Sequence, residues 1–420
     1  MVAQFLNMKG VALAMAEFGL ADGRAAGRRT PRLVAGVDVE EANAAFEAKE
    51  FSLEQMDAAQ ADWADLAARA LEPNAFYEPG FALAAARHFP VSERPRFIVV
   101  RARAGRMMGL FPIVAANALT GDGLTRLWLH RQAALATPLV DRDMAPEAIE
   151  AFLEWMETHS RSTGVVFSRM PADGRFRLAL ERAIASAARN VKILESYQRA
   201  ALLPGGDADE LCARAGSKKK LAEMRRQTRR LREMGRLTFE CHETPEEIRV
   251  AAEEFMVLEA SGWKAGRGAF LSEPALATFL RSATRMLARE SRCKIQSLRL
   301  NGQPIAMAIV LESQGRSYCW KIAFDERLRA QAPGVQLIYE QTKAHLARGD
   351  LEFADSCAIA NHPLIDKLWP DRIGVCDLAV SLRSRRERDF VASCRRDHAR
   401  RQVREIAKRA ANRVLRRKVS

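Results

Sequence analysis

The 420-residue sequence predicts an α+β protein of two similarly built halves, each a mixed, mostly antiparallel sheet flanked by helices. Three observations carry this. Helix-period and strand-period segments recur in the same order in both halves, as helices, a strand meander, a helix and a strand. A strand–Gly turn–strand pattern appears twice, as Arg103-Ala-Gly105-Arg-Met-Met-Gly109 and as Leu300-Asn-Gly302-Gln-Pro-Ile-Ala306, with a small residue four positions after the first Gly. Between the halves, Pro204-Gly205-Gly206 breaks the chain.

Residues 57–71 read as an amphipathic helix, with Trp63, Leu66, Ala67 and Ala70 on one face. Prolines at 73 and 79 interrupt it, and 80–88 reads as a second helix. Residues 96–103 and 107–115 are apolar strands around the Ala104-Gly105 turn. Short strands are expected at 127–129, 136–140 and 164–168. Residues 146–159 and 175–189 read as helices and 191–203 as strand. In the second half, 217–234 is a helix ended by Gly235, a residue suited to a helix C-terminus. A strand at 237–241 and helices at 245–260 and 273–289 follow. Strands at 294–300 and 304–312 flank Asn301-Gly302, the strongest short hairpin signal, and 316–324 adds a third strand. A helix at 335–347 and strands at 351–354 and 375–381 complete the pattern.

This divides the chain into a poorly ordered leader (1–50), an N-terminal domain (51–205), a C-terminal domain (206–382) and a basic helical tail (383–420). The leader carries only Lys9 ahead of its apolar stretch, with Glu17 just after, so it lacks the charge pattern of a secretory signal. No apolar run is long enough to span a membrane. The seven cysteines all lie between Cys212 and Cys394 with no C-x-x-C pair, which suits a reducing cytoplasm and provides neither a disulfide framework nor a zinc site. The His and Cys positions lack metal spacing, so no metal is expected. There is no G-x-S-x-G elbow, Walker loop or G-x-G-x-x-G after a strand.

The net charge of +14 resolves into two local features. Residues 383–420 hold fifteen Lys/Arg against four Asp/Glu, and 217–236 hold nine against two. The rest of the chain is slightly acidic.

The stretch 318–349 carries the most chemistry. A strand with Trp320, Lys321, Ala323 and Phe324 leads into Asp325-Glu326, a polar loop and Ala332-Pro333-Gly334 at a helix start. Such a loop offers outward N–H groups and a helix dipole to an anion. Gly334 permits close backbone approach and Pro333 stiffens the entry.

These residues resemble the acetyltransferase domain of the GNAT superfamily found in bacterial cellulose and polysaccharide-synthesis proteins. A related tandem arrangement occurs in Fem-type peptidyl transferases. The resemblance covers residues 210–380. It rests on Ser217-Lys-Lys-Lys, Leu231-Arg-Glu-Met-Gly235, Leu258-Glu-Ala-Ser-Gly-Trp263-Lys264-Ala-Gly-Arg267-Gly268, Gly302-Gln-Pro-Ile-Ala306, Tyr318-Cys-Trp-Lys321-Ile-Ala-Phe-Asp325-Glu326 and Ala332-Pro333-Gly334. Asn74-Ala-Phe76 and Pro138-Leu-Val-Asp141 resemble the family's N-terminal half. Many relatives show Asp-Phe followed by Gly and Lys after the last buried strand. Here Asp355 corresponds and Lys367 does not align clearly, which puts the acceptor in question.

The resemblance implies tandem GNAT-like domains and acyl transfer, with acetyl-CoA or another acyl-CoA as co-substrate and no metal. The acceptor is an amine or hydroxyl on a sugar or envelope precursor. Pantetheine would lie along the strand ending at Asp325, and pyrophosphate on the N–H groups of Gly334, Val335 and Gln336, with Lys321, Asp325 and Pro333 completing the cofactor site. On its strand, Lys321 alternates onto one face with Cys319 and Ala323. An amine of pKa about 10.4 is roughly one part in 2,500 neutral at pH 7, a deficit near 4.6 kcal/mol, so a base or burial must help. Asp355, His362, Glu259 and Asp325 are the candidate bases, and Tyr339 the candidate proton donor to the departing thiolate. Glu259, Trp263, Lys264 and Arg267 are expected to line the acceptor pocket.

Two other classes stay open. A Fem-type transferase would use aminoacyl-tRNA, with the basic segments as its docking surface. A non-catalytic GNAT-like scaffold would serve a membrane synthase. The tail, with Val391, Val403, Ile406, Ala410, Val414 and Leu415 at helical spacings, fits an anionic membrane surface, which would place the protein at the inner membrane's cytoplasmic face. Nucleic acid fits it less well, because no aromatic residue follows Phe390 to stack on bases.

Overall fold

A single mixed sheet runs through both halves. The computed structural model describes residues 46–115, 123–185, 187–262, 268–382, 385 and 387–417. Side chains beyond residue 407 lie outside the description. The first half contains β1 (Phe46–Phe51), α1 (Leu53–Ala58), α2 (Gln60–Ala68), α3 (Pro79–His88), β2 (Arg96–Ala102), β3 (Met107–Val114), β4 (Leu124–Leu127), β5 (Leu139–Val140), α4 (Ala145–His159), β6 (Gly164–Pro171), α5 (Arg175–Ala185) and β7 (Val191–Leu202). The second contains α6 (Ala208–Ala215), α7 (Lys218–Met234), β8 (Leu237–His242), α8 (Pro245–Ala260), α9 (Pro274–Arg289), β9 (Cys293–Leu300), β10 (Gln303–Ser313), β11 (Arg316–Phe324), α10 (Pro333–Leu346), β12 (Phe353–Asp355) and β13 (Asp371–Ser381), followed by α11 (Glu387–Arg417).

The strand order is β1-β2-β3-β4-β6-β13-β7-β12-β11-β10-β9-β8, with β5 beside β3. The last strand of the second half, β13, thus lies between β6 and β7 of the first. The mixed α+β character matches the expected fold class.

Local chemistry explains the element ends. Ser52 and Thr244 form capping boxes with Gln55 and Glu247. Ser217 caps α7 through the Lys220 N–H, and Asp207 caps α6. At Asn301-Gly302 both residues have positive φ (50° and 81°), as a two-residue hairpin turn requires.

Several expectations are corrected. Residues 46–50, assigned to the leader, form with Phe51 an edge strand paired with β2. The helix expected at 57–71 is two helices with a junction at Ala59. The strand expected at 136–140 is only Leu139–Val140. The helix α6 follows the Pro204 break directly and was not anticipated.

One face of the sheet carries the main core. Phe81 on α3, Phe279 on α9 and Trp320 on β11 meet edge-to-face with centroids 5.1–6.1 Å apart. Each ring contributes about 1.5–3 kcal/mol by burial, so this contact ties the first half to β11. On the opposite face α10 packs with α6 and α7 over Cys319, Ile338 and Trp369.

Candidate functional site

The site is built around a strand that loses its neighbour halfway. β12 pairs in parallel with β11 only at Arg316, Ser317 and Tyr318. After Asp355 the chain turns away, and the Ser356 N–H bonds to the Ala200 carbonyl. Beyond Tyr318, β11 therefore has no strand on that edge. The Asp325 N–H donates to the Ile305 carbonyl of β10 at 2.8 Å. Strand alternation turns the N–H groups of Ile322 and Phe324 to the open edge.

A bulge reinforces the opening. The β10–β11 register slips between Ile309, opposite Lys321, and Val310, opposite Cys319, leaving Trp320 as the extra residue. This corrects the expected face of Lys321. The slip puts Trp320, Lys321 and Ala323 on the main-core side, while Cys319 and Ile322 pack toward α10. Lys321 Nζ sits 5.7 Å from the Phe270 ring centroid and 5.3 Å from that of Trp320, within cation–π range. The N-terminus of α10 lies on the other face of the sheet from this ammonium.

The α10 N-terminus closes one end of the opening. Ala332, its N-cap, is left-handed (φ 48°) and supplies no side-chain cap. The N–H groups of Val335 and Gln336 return to the Ala332 carbonyl. Pro333 is buried and begins the helix, where its missing N–H costs nothing. A Cβ on Gly334 would come within 3.3 Å of Phe324 and 3.4 Å of Leu364, so a larger residue needs those side chains to give. The Gln336 side chain is committed inward. It accepts from the Thr228 hydroxyl at 2.5 Å and donates to the Met224 carbonyl at 3.1 Å, fixing α10 to α7.

Asp325 is likewise committed. Its carboxylate caps the Arg327 N–H at 3.0 Å and holds the Arg327 guanidinium at 2.7 Å, and these hydrogen bonds keep it below the usual carboxylate range. It shapes the turn after β11 and keeps no free face toward a ligand.

Asp355 stands at the apex of the opening. It is paired with Arg199 of β7 at 2.5 Å and accepts from the Cys357 N–H at 2.8 Å. Arg199 also donates to the Ala134 carbonyl at 3.2 Å. His362 lies half-buried in the following loop. Its Nδ1 faces the N–H groups of Leu364 and Ile365, both 3.4 Å away, which leaves Nε2 as the remaining nitrogen. Burial holds this imidazole below the ordinary histidine value, so it is neutral at pH 7. No hydrogen bond among the described residues joins His362 to Asp355. Tyr339 faces away from both. Its hydroxyl donates to Asp209 at 2.5 Å, and burial together with that carboxylate raises its pKa.

A second cleft opens beside the end of β11. Leu258, Glu259 and Gly262 line one side, and Ile322, Ala323, Phe324 and Glu326 the other, around a shallow cleft of about 30 Å³ that opens to solvent. Glu259 is buried and accepts from the Phe270 N–H at 2.9 Å. The expected partners Trp263, Lys264 and Arg267 lie outside the described residues. Near the apex, burial pushes the Cys319 thiol up to about 12 and the Cys357 thiol well above its ordinary value. Neither is a thiolate at neutral pH, which argues against a cysteine nucleophile.

The structure thus brings Glu259, Lys321, Gly334 and Asp355 around one strand, and it leaves Tyr339 apart. Sequence reading missed Arg199 and Gln132, whose carbonyl accepts from the Trp320 indole at 2.7 Å. For Arg199 a signal existed. An arginine in the apolar run Arg199-Ala-Ala-Leu-Leu203 needs a buried carboxylate partner. Among the described residues no group of His, Cys, Asp and Glu could hold a metal ion, and no helix is long and apolar enough to cross a membrane.

Residues 218–360 match the family described as "Acetyltransferase (GNAT) domain". Among solved structures the chain is similar to FemX, at 12% identity over 80% of this chain and 98% of that one, with a TM-score of 0.51. It also aligns with the C-terminal domain of a putative lysylphosphatidylglycerol synthetase from Agrobacterium fabrum, at 15% identity over 80% and 95% of the two chains (TM-score 0.48). A tandem GNAT protein from the clavulanic acid biosynthesis pathway aligns at 13% identity over 80% and 98% (TM-score 0.37). No curated protein sequence matches the chain.

Proposed function

Because residues 218–360 match the model described as "Acetyltransferase (GNAT) domain", we propose that this protein transfers an acyl group from acyl-CoA, with acetyl-CoA the first donor to test, to an amine or hydroxyl. The acceptor class is a sugar or cell-envelope precursor. The observation that carries the reading is the open edge of β11, which ends beside the uncapped N-terminus of α10.

Pantetheine amides pair with the open edge as a missing strand would. The pyrophosphate rests at the Gly334–Gln336 turn, where the Gly334 N–H and the helix dipole favour an anion, the Val335 and Gln336 N–H groups being already bonded to the Ala332 carbonyl. An N–H of the open edge stabilises the oxyanion that forms as the acceptor attacks the thioester. The acceptor enters through the cleft between Glu259 and Phe324. Asp355 orients the apex from its ion pair, and its carboxylate is too fully engaged to act as a free base. Of the expected bases, His362 keeps a neutral imidazole at working pH. Tyr339 has no part in the transfer.

Isothermal titration with acetyl-CoA and CoA tests the donor. Binding that weakens when Gly334 carries a larger side chain supports the proposal, and no binding at millimolar ligand sinks it.

One feature favours a second reading. Helix α7 presents Lys218, Lys219, Lys220 and Arg230 on an exposed face, and its Gln227 side chain contacts the Ala330 carbonyl in the turn before α10. A polyanion carrying the acyl group, such as aminoacyl-tRNA, would find a basic track leading to the same groove. Tight tRNA binding with a steep salt dependence, and no affinity for CoA, would select this reading.

A further inference from the structure

Helix α11 continues well past the part of it that the fold uses. Its first turns dock by one face. Phe390 and Cys394 are buried beside Leu124, Val166 and Ala379. One turn later the contact becomes ionic. Asp397 accepts from Arg126 at 2.6 Å and pairs with Arg401 at 2.7 Å. Arg401 also reaches Asp377 at 2.7 Å and contacts Glu195. Positions 390, 394, 397 and 401 follow helical spacing, so they form one docked stripe. From Gln402 to Arg417 the helix runs on for about 24 Å at 1.5 Å per residue.

That extension has a second, differently placed stripe. Val403 is roughly 200° around the helix from Arg401, on the side away from the docked face. It is 65% exposed, and Ile406 is 66% exposed. The same spacing puts Ala410 and Val414 in register with Val403. Between Val403 and Arg417 the sequence holds six Lys/Arg against the single acid Glu405. The stripe is apolar, narrow and bordered by positive charge.

We infer that α11 beyond its docked turns lies on an anionic lipid bilayer, with the exposed Val403 and Ile406 at the acyl boundary and the basic residues at the headgroups. Charge complementarity and the stripe together choose this occupant. A phosphodiester backbone would satisfy the basic residues but leave Val403 and Ile406 in water, and no aromatic side chain follows Phe390 for base stacking. A second copy of the helix would cover the stripe but bring two strongly basic segments side by side. An anionic interface satisfies both features. Basic residues contribute about 1 kcal/mol each near such a surface, and the small apolar stripe makes the attachment reversible.

The test is co-sedimentation of the full-length protein with phosphatidylglycerol/phosphatidylcholine vesicles and with pure phosphatidylcholine vesicles. Binding is expected only to the former. Val403→Asp/Ile406→Asp should weaken it about tenfold or more, because two exposed apolar side chains leave the interface. Arg404→Glu/Arg409→Glu/Arg413→Glu should weaken it by on the order of a hundredfold. Both variants alter the helix beyond its docked part, so their circular dichroism and melting should match the parent. Val250→Asp/Val257→Asp, which changes exposed apolar residues of α8, should leave vesicle binding intact. Undiminished binding of the Val403/Ile406 variant overturns the inference. So does equal affinity for neutral vesicles, an RNA affinity without vesicle binding, or a dimer that dissociates on Ile406→Asp without vesicle binding.

Discussion

Asp355 and Arg199 form an ion pair in which each side chain is 1% exposed, at the point where β11 and β12 part. The pair lies 156 residues apart in sequence, and it fixes the apex of the open edge. Removing either partner leaves the other charge buried. Arg199→Met or Asp355→Asn should therefore cost about 3–5 kcal/mol, and Arg199→Met/Asp355→Leu should recover much of it. Urea unfolding measures this. If Asp355 instead serves as the base, Asp355→Asn assayed below its unfolding temperature will lose the acidic limb of its kcat/KM pH profile. A positioning role predicts lower kcat with that limb in place.

Glu78 links the halves in a similar way, but its charge is less well satisfied. Its carboxylate contacts Arg292 and accepts from the Ser313 hydroxyl at 2.6 Å, and it is 1% exposed. Burial outweighs these partners and raises its pKa from 4.5 to about 7. The folded state thus holds this proton more tightly than the unfolded chain. The resulting stability is complete below pH 4.5, falls as pH rises, and is lost once pH passes about 7. The whole effect is about 3 kcal/mol at 1.36 kcal/mol per pKa unit. Glu78→Gln should flatten the stability–pH curve across this window. An unchanged slope in denaturant titrations at several pH values would reject the assignment.

What the sequence made legible was local. Asn301-Gly302 dictated its turn because only φ-tolerant residues fit both positions, and the helix expected at 335–347, observed at 333–346, followed from the Pro-Gly start and apolar periodicity. The elements that build the site are not local. The bulge at Trp320 depends on the register between β10 and β11, and strand alternation alone put Lys321 on the wrong face relative to Cys319. The open edge exists because β12 pairs for only three residues before the chain leaves, which no pattern in β11 encodes. The insertion of β13 between β6 and β7 is also a pairing across the chain. Asp355 was singled out as a strand-end acid, but its partner sits on a strand in which Arg199 drew no attention.

Tyr339 distinguishes a chemical from a structural role by a single atom. Its hydroxyl is held by Asp209, which also contacts Arg225, so the group anchors α10 to α6 and α7. Tyr339→Phe should lower stability by about 1 kcal/mol, the typical net worth of such a bond. It should reduce kcat less than tenfold. A general acid for the thiolate would instead show a loss of about 10²–10⁴ in kcat with unchanged donor affinity. Steady-state kinetics beside a thermal melt separate the two.

Gly334 offers the most direct test of where the donor lies. It is already helical, so Gly334→Ala gains about 0.4–1 kcal/mol from the unfolded chain. Against that, the new methyl meets Phe324 at 3.3 Å and Leu364 at 3.4 Å, and both are side chains that can yield slightly. The two effects nearly cancel, so the melting temperature of the free protein should hardly move. Donor binding should move more. A pyrophosphate seated at this turn approaches the backbone where the methyl now projects, and Gly334→Val adds two further carbons there. Affinity for CoA should fall about tenfold for Ala and further for Val, while dephospho-CoA, which keeps the pyrophosphate, should show the same decline. Pantetheine alone, lacking that group, should bind both variants as it binds the parent. If pantetheine and CoA lose affinity equally, the pyrophosphate is held elsewhere.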